Sequence, residues 1–208
     1  MKRKPVCLLM LLLFGSISGC TKVPAERTLL PSGFTAAAVL QRQEGTAQTH
    51  SGEILGKIWD NHTAGEQFLV FGGVPEKAVP GAPGDLETED KAMLEARYFL
   101  TPELCACIAE GAAMEHLLNR HVFCSAVFRL AEAVDTEDYA RKLCESLEEA
   151  SWQDRAPQRF LIAIPEEGFV LVAFGQEKTM DTFLIRMSQT FPQGECLYYQ
   201  EIAQKRGR

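Results

Sequence analysis

No apolar run in the chain is long enough to span a bilayer. The longest, Val6 to Phe14, is nine residues, where a crossing helix needs about 20. There is no basic excess either: 21 Lys and Arg stand against 28 Asp and Glu, a formal charge of −7. With no basic stripe to neutralise phosphates, nucleic acid is not an expected partner. A Gly-rich phosphate loop is missing, because Gly81-Ala82-Pro83-Gly84 has prolines where free amides are needed and no Lys-Ser or Lys-Thr behind it. So is a Gly-x-Ser-x-Gly nucleophile elbow. No internal repeat is found, no catalytic set emerges and no cofactor is implied.

What is present begins at the N-terminus. Lys2-Arg3-Lys4, the apolar run and the small, polar Gly15 to Gly19 form the three-part layout of a secretory signal. Its ending, Ile17-Ser18-Gly19-Cys20, resembles the lipobox of bacterial lipoproteins, in which the cysteine is diacylated and becomes the new N-terminus. Residues 1–19 are accordingly expected to be a signal peptide and Cys20 the lipid attachment point. Each buried methylene contributes about 0.8 kcal/mol, and two acyl chains suffice for stable anchoring. The expected location is the extracytoplasmic face of the cell membrane, with the membrane as partner through Cys20. With Lys2, Arg3 and Lys4 removed, the basic residues fall to 18 against 28 acidic ones, and the formal charge to −10.

Five cysteines follow Cys20: Cys105, Cys107, Cys124, Cys144 and Cys196. An odd number cannot all pair within one chain, and their spacing shows no secreted disulfide framework. Several free thiols in an exported protein suit an organism living without oxygen, with pairs such as Cys124 with Cys144 or Cys196 left open.

Residues 20–50, with Pro24 and Pro31 and no periodicity, read as a lipidated tether, and residues 51–208 as a single α+β domain. Ile54, Leu55, Ile58 and Trp59 form a helical stripe, and Gln67 to Val74 a short strand ended by Gly72-Gly73. Val74 to Asp90, rich in proline, glycine and then acids, reads as an exposed loop and a candidate contact region. Thr101-Pro102-Glu103 starts a helix expected to run to about Asn119.

From Val122 the pattern is strand, helix, strand, strand, helix, strand. Cys124, Ala126, Phe128 and Leu130 share a strand face, and Ala140, Leu143 and Leu147 a helix face. Phe160 to Ile164 and Phe169 to Phe174 form a hairpin across Pro165-Glu166-Glu167-Gly168, and Met180, Phe183, Met187 and Phe191 a second helical stripe. The expected core, residues 122–201, is a ferredoxin-like βαββαβ antiparallel sheet. Because the hairpin strands are apolar on both sides, the N-terminal helices, Thr101 to Asn119 above all, are expected to cover the second face.

Several stretches resemble a group of uncharacterised clostridial lipoproteins: "FLVFGGV" followed by "PGAPGDL", then "AAMEHLLNRHVFCSAVFRL", then Trp152 and Pro157 ahead of "GFVLVAFG". The likeness runs from about Gly52 to Phe191. It implies a Gram-positive anaerobe and an outward-facing, membrane-tethered domain, and it carries no catalytic residue with it.

Two constellations remain. His116 and Asn119, three apart on the expected helix, share a face and with Glu115 form a candidate polar site for a small molecule or protein partner. Alternatively Cys105, Cys107, His116 and Cys124 could handle a soft metal or redox chemistry. On a helix, however, thiols two apart point roughly 200° apart, and His116 and His121 miss the four-residue spacing of a zinc helix. The reading that follows is a lipid-anchored binding or interaction module, with the metal or redox protein as the alternative. Oligomeric state is not legible.

Overall fold

The computed structural model describes residues 49–74, 77–152 and 157–202. The signal segment, Cys20 and nearly all of the tether lie outside the described residues.

The first helix, α1 (His50–Asp60), begins where the Thr49 hydroxyl accepts the Gly52 amide at 3.2 Å, and its stripe of Ile54, Leu55, Ile58 and Trp59 is buried. Three short strands follow, β1 (Val70–Gly72), β2 (Val79–Pro80) and β3 (Gly84–Asp85), then α2 (Lys91–Tyr98), capped by Asp90, and α3 (Pro102–Ala106), capped by Thr101. The remainder is β4 (Ile108–His116), β5 (Phe123–Leu130), α4 (Thr136–Glu149), β6 (Arg159–Ile164), β7 (Phe169–Gly175), α5 (Glu177–Thr190) and β8 (Glu195–Glu201). Among the described residues no helix is long and apolar enough to cross a membrane.

All strands belong to one open antiparallel sheet in the order β2-β1-β4-β5-β7-β6-β8, with β3 paired to β4 beyond the end of β1. The mixed α+β class is as expected. The strand order is not that of a ferredoxin-like core. There the last strand would return beside β5, with both helices on one face; here β4 occupies that edge, and β8 pairs with β6 at the far side.

This exchange determines where the helices go. The connection β5–α4–β6 passes over β7, and β7–α5–β8 passes over β6 in the same direction, but β5 and β7 run antiparallel. Right-handed crossovers then place α4 and α5 on opposite faces, as observed. Leu143 and Leu147 of α4 pack with Ala126, Phe128, Ile162 and Val172. Phe183 and Met187 of α5 pack with Val127, Leu161 and Leu171 on the other side. Each face therefore has its own core: α2, α3 and α4 cover one, α1 and α5 the other.

Two other expectations are corrected. The helix from Thr101 stops at Ala106, and Ile108 to His116 is a central strand rather than its continuation. Ala112-Ala113 favours helix locally, but β4 pairs with β1 and β3 on one side and β5 on the other, burying Ala112, Ala113 and Met114. Gly111 fits closely, since a Cβ there would lie 3.0 Å from the Phe128 ring. The second face is thus covered by α1 and α5. The stretch from Val74 to Asp90 is likewise no simple exposed loop: it contributes β2 and β3 to the sheet, and Ala82, Gly84 and Leu86 are buried.

Candidate functional site

Glu115 and His116 end β4, and because successive strand residues point to opposite faces they separate. His116 turns toward the α1 and α5 side, where its ring stacks on Phe68 with centroids 5.4 Å apart. Its Nδ1 accepts the backbone N–H groups of Leu118 and Asn119, both at 3.2 Å. Burial holds its pKa below the usual histidine value, so the ring is neutral at neutral pH. Asn119 Oδ1 accepts the His121 amide at 3.0 Å. His116 and Asn119 therefore organise the β4–β5 turn with their own polar atoms and do not share a helix face.

Glu115 lies across the sheet. Arg97 of α2 pairs with it at 2.5 Å, the two side chains being only 16% and 11% exposed. Cys124, its register partner on β5, has Sγ 3.8 Å from Glu115 Oε2. Burial pushes that thiol far above the ordinary cysteine range, which makes Cys124 a small apolar group rather than a nucleophile. The three residues of the expected polar site therefore do not converge.

Nor do the thiols. Cys107 precedes β4 and His116 ends it, a separation of roughly 30 Å at the rise of an extended strand. Cys105 is buried, and burial raises its pKa. The Cys107 thiol donates back to the Glu103 carbonyl at 3.4 Å. All five described cysteines are free. Among the described residues no group of three His, Cys, Asp or Glu is arranged to hold a metal ion.

The β4–β5 turn instead brings forward Arg120 and His121. With Phe99, Ser151, Trp152 and Phe174 they line a cleft of about 270 Å³ on the α2 and α4 side of the sheet. Its walls are aromatic: Phe99 and Trp152 have ring centroids 4.4 Å apart, and Trp152 and Phe174 meet edge-on at 5.2 Å. Phe99 ends α2 in the left-handed region, at φ 59°, and is the one described residue other than glycine with positive φ. That conformation costs an L-residue about 1–2 kcal/mol. It is held by the Phe99 amide donating to the Glu95 carbonyl, by the Ser146 hydroxyl donating to the Phe99 carbonyl, and by the tilted ring contact with Trp152.

Arg120 supplies the charge. One Nη2 hydrogen goes to the Arg97 carbonyl, and the guanidinium sits over Phe174, 5.8 Å from its centroid. Among the described residues no carboxylate pairs with Arg120, although most other arginines here have one. A planar cation with donors to spare, beside aromatic faces, suits a carboxylate attached to a flat apolar body.

This cleft was not legible as a site beforehand. The helix expected through Asn119 directs attention to a His116 face, whereas a strand ending at His116 puts the next cationic residue, Arg120, in a turn. The available signal was the adjacent Arg120-His121 step in an acidic chain. Comparison with protein-family models, curated proteins and solved structures gives no match to this chain.

Proposed function

We propose that the chain is a lipoprotein, held on the outer face of the cell membrane by a diacylated Cys20, whose α+β domain binds a small organic anion without transforming it. The N-terminal charge, apolar run and Ile17-Ser18-Gly19-Cys20 support the anchor, as does the resemblance to clostridial lipoproteins. The binding role is carried by one observation: Arg120 stands in an aromatic cleft of an acidic protein, and no carboxylate among the described residues pairs with it. Desolvating a guanidinium beside apolar walls is unfavourable unless an anion compensates it. The volume, at the low end for ligand pockets, suits one or two fused rings bearing a carboxylate.

Calorimetric titration of the mature protein with phenylacetate and with its neutral amide tests this. Phenylacetate is expected to bind one to one, at least about tenfold tighter than phenylacetamide, as a charge-assisted hydrogen bond of about 1.5–3 kcal/mol requires. Equal binding of acid and amide would refute the anion site.

A further inference from the structure

The opposite face of the sheet holds a second cavity at the same end of the molecule, between α1 and α5. Trp59, His62, Phe68, Phe123 and Phe183 form its walls, and Lys178, Thr179 and Thr182 of α5 lie at its edge. The rings interlock: Trp59 meets Phe68 at 5.1 Å, and Phe123 meets Phe183 at 5.0 Å. The space is about 150 Å³, the size of an apolar protein cavity known to admit benzene.

Of the polar side chains in its lining, His62 is the buried one. His62 is 7% exposed, and its Nδ1 lies 2.9 Å from the Ile58 carbonyl at the end of α1. A carbonyl only accepts, so Nδ1 carries the proton and Nε2 is left as a lone-pair acceptor. Nε2 makes no hydrogen bond among the described residues. The ring is fixed between Trp59, at 4.9 Å, and Phe183, at 5.9 Å. Burial holds its pKa below the usual value, keeping the acceptor present at neutral pH.

The surroundings narrow the ligand. Glu66, the carboxylate in the lining, is bound at both oxygens by Arg186, at 3.0 and 2.7 Å, and also accepts the Thr63 amide at 2.8 Å. It is not available to a metal or to a cationic ligand, and a lone imidazole does not make a metal site. The Thr182 hydroxyl donates to the Lys178 carbonyl at 3.0 Å. Lys178 is exposed and lies with Thr179 at the rim, so the acceptor set among the aromatic walls is His62 Nε2.

We infer that this cavity binds a small, neutral, single-ring aromatic molecule that donates one hydrogen bond to His62 Nε2, phenol being the simplest member of the class. The inference does not depend on the Arg120 cleft, and the two tryptophans separate them: Trp59 lies in this cavity and Trp152 in the other. Phenol and toluene have nearly the same shape and differ in the donor.

The test is a titration of the mature protein with each, followed by the indole N–H signals and by the ¹⁵N shift of His62 Nε2. Phenol is expected to shift the Trp59 indole while leaving Trp152 in place, to move the Nε2 resonance upfield as it accepts a hydrogen bond, and to bind about threefold to tenfold tighter than toluene. His62→Phe, which keeps a ring in the wall and removes the acceptor, should abolish that preference. If phenol leaves Trp59 and Nε2 unmoved in the wild-type protein, or if toluene binds as well as phenol, the inference is overturned, whether or not the variant folds.

Discussion

Glu115 and Arg97 show how far a residue's chemistry depends on which face of a strand it occupies. Placed beside His116 on a helix, Glu115 would belong to an open polar site; on β4 it is driven through the sheet to a nearly buried guanidinium. Removing one member of such a pair strands the other charge in a poorly solvated place, costing about 3–5 kcal/mol, whereas an apolar replacement of both is often neutral. Glu115→Ala is therefore expected to lower the unfolding free energy in urea by about 3 kcal/mol or more, and Arg97→Met with Glu115→Leu to recover most of it. If Glu115→Ala costs under about 1 kcal/mol, the pair does not hold α2 to the sheet.

Among the elements, those whose periodicity is set by a single neighbour were readable. α4 and α5 show clean apolar stripes, capped by Asp135 in one case and ended near Pro192 in the other, and the apolar hairpin of β6 and β7 announces a sheet covered on both sides. β4 was not readable, because Gly111-Ala112-Ala113 has no side chain large enough to mark a face. Small residues there are demanded by Phe128 and by strands on both flanks, a tertiary constraint that overrides helix propensity. The strand order escaped for a related reason: nothing local to β8 says that β4 has taken the edge beside β5.

The same crowding explains the glycines of β1 and β3. A Cβ on Gly72 would lie 2.1 Å from the Gly84 amide nitrogen, against backbone that cannot rotate away. Gly72→Ala must push β3 off β4 and is expected to lose more than about 2 kcal/mol in stability. Amide exchange near Gly84 and Asp85 should accelerate with it; unchanged protection there would contradict the packing.

At the scale of the whole molecule, a sheet with a core on each face carries, among the described residues, a cleft on either side at one end, with Arg120 in the one on the α2 and α4 side and the buried His62 in the other. The proposed anchor adds the location. Cys20→Ser is expected to leave the protein unlabelled by radioactive palmitate and released from the membrane fraction, whereas the wild-type chain is labelled and retained. Labelling that persists in the variant would place the lipid elsewhere. Of the cleft residues, His121 entered the sequence reading only against a zinc-helix spacing and Trp152 only within a resemblance. A cleft assembled from a turn, two helix ends and a strand end has no linear pattern to find.

The central claim, that a guanidinium in an aromatic cleft captures an organic anion, is tested most directly by titrating phenylacetate into the wild-type protein and into Arg120→Gln, with the Trp152 indole signal as the reporter. Wild-type protein should show a saturable shift at Trp152, and Arg120→Gln should weaken the affinity at least about tenfold while Trp59 stays unperturbed in both. Equal affinity in the two proteins, or a response at Trp59 in place of Trp152, would contradict it.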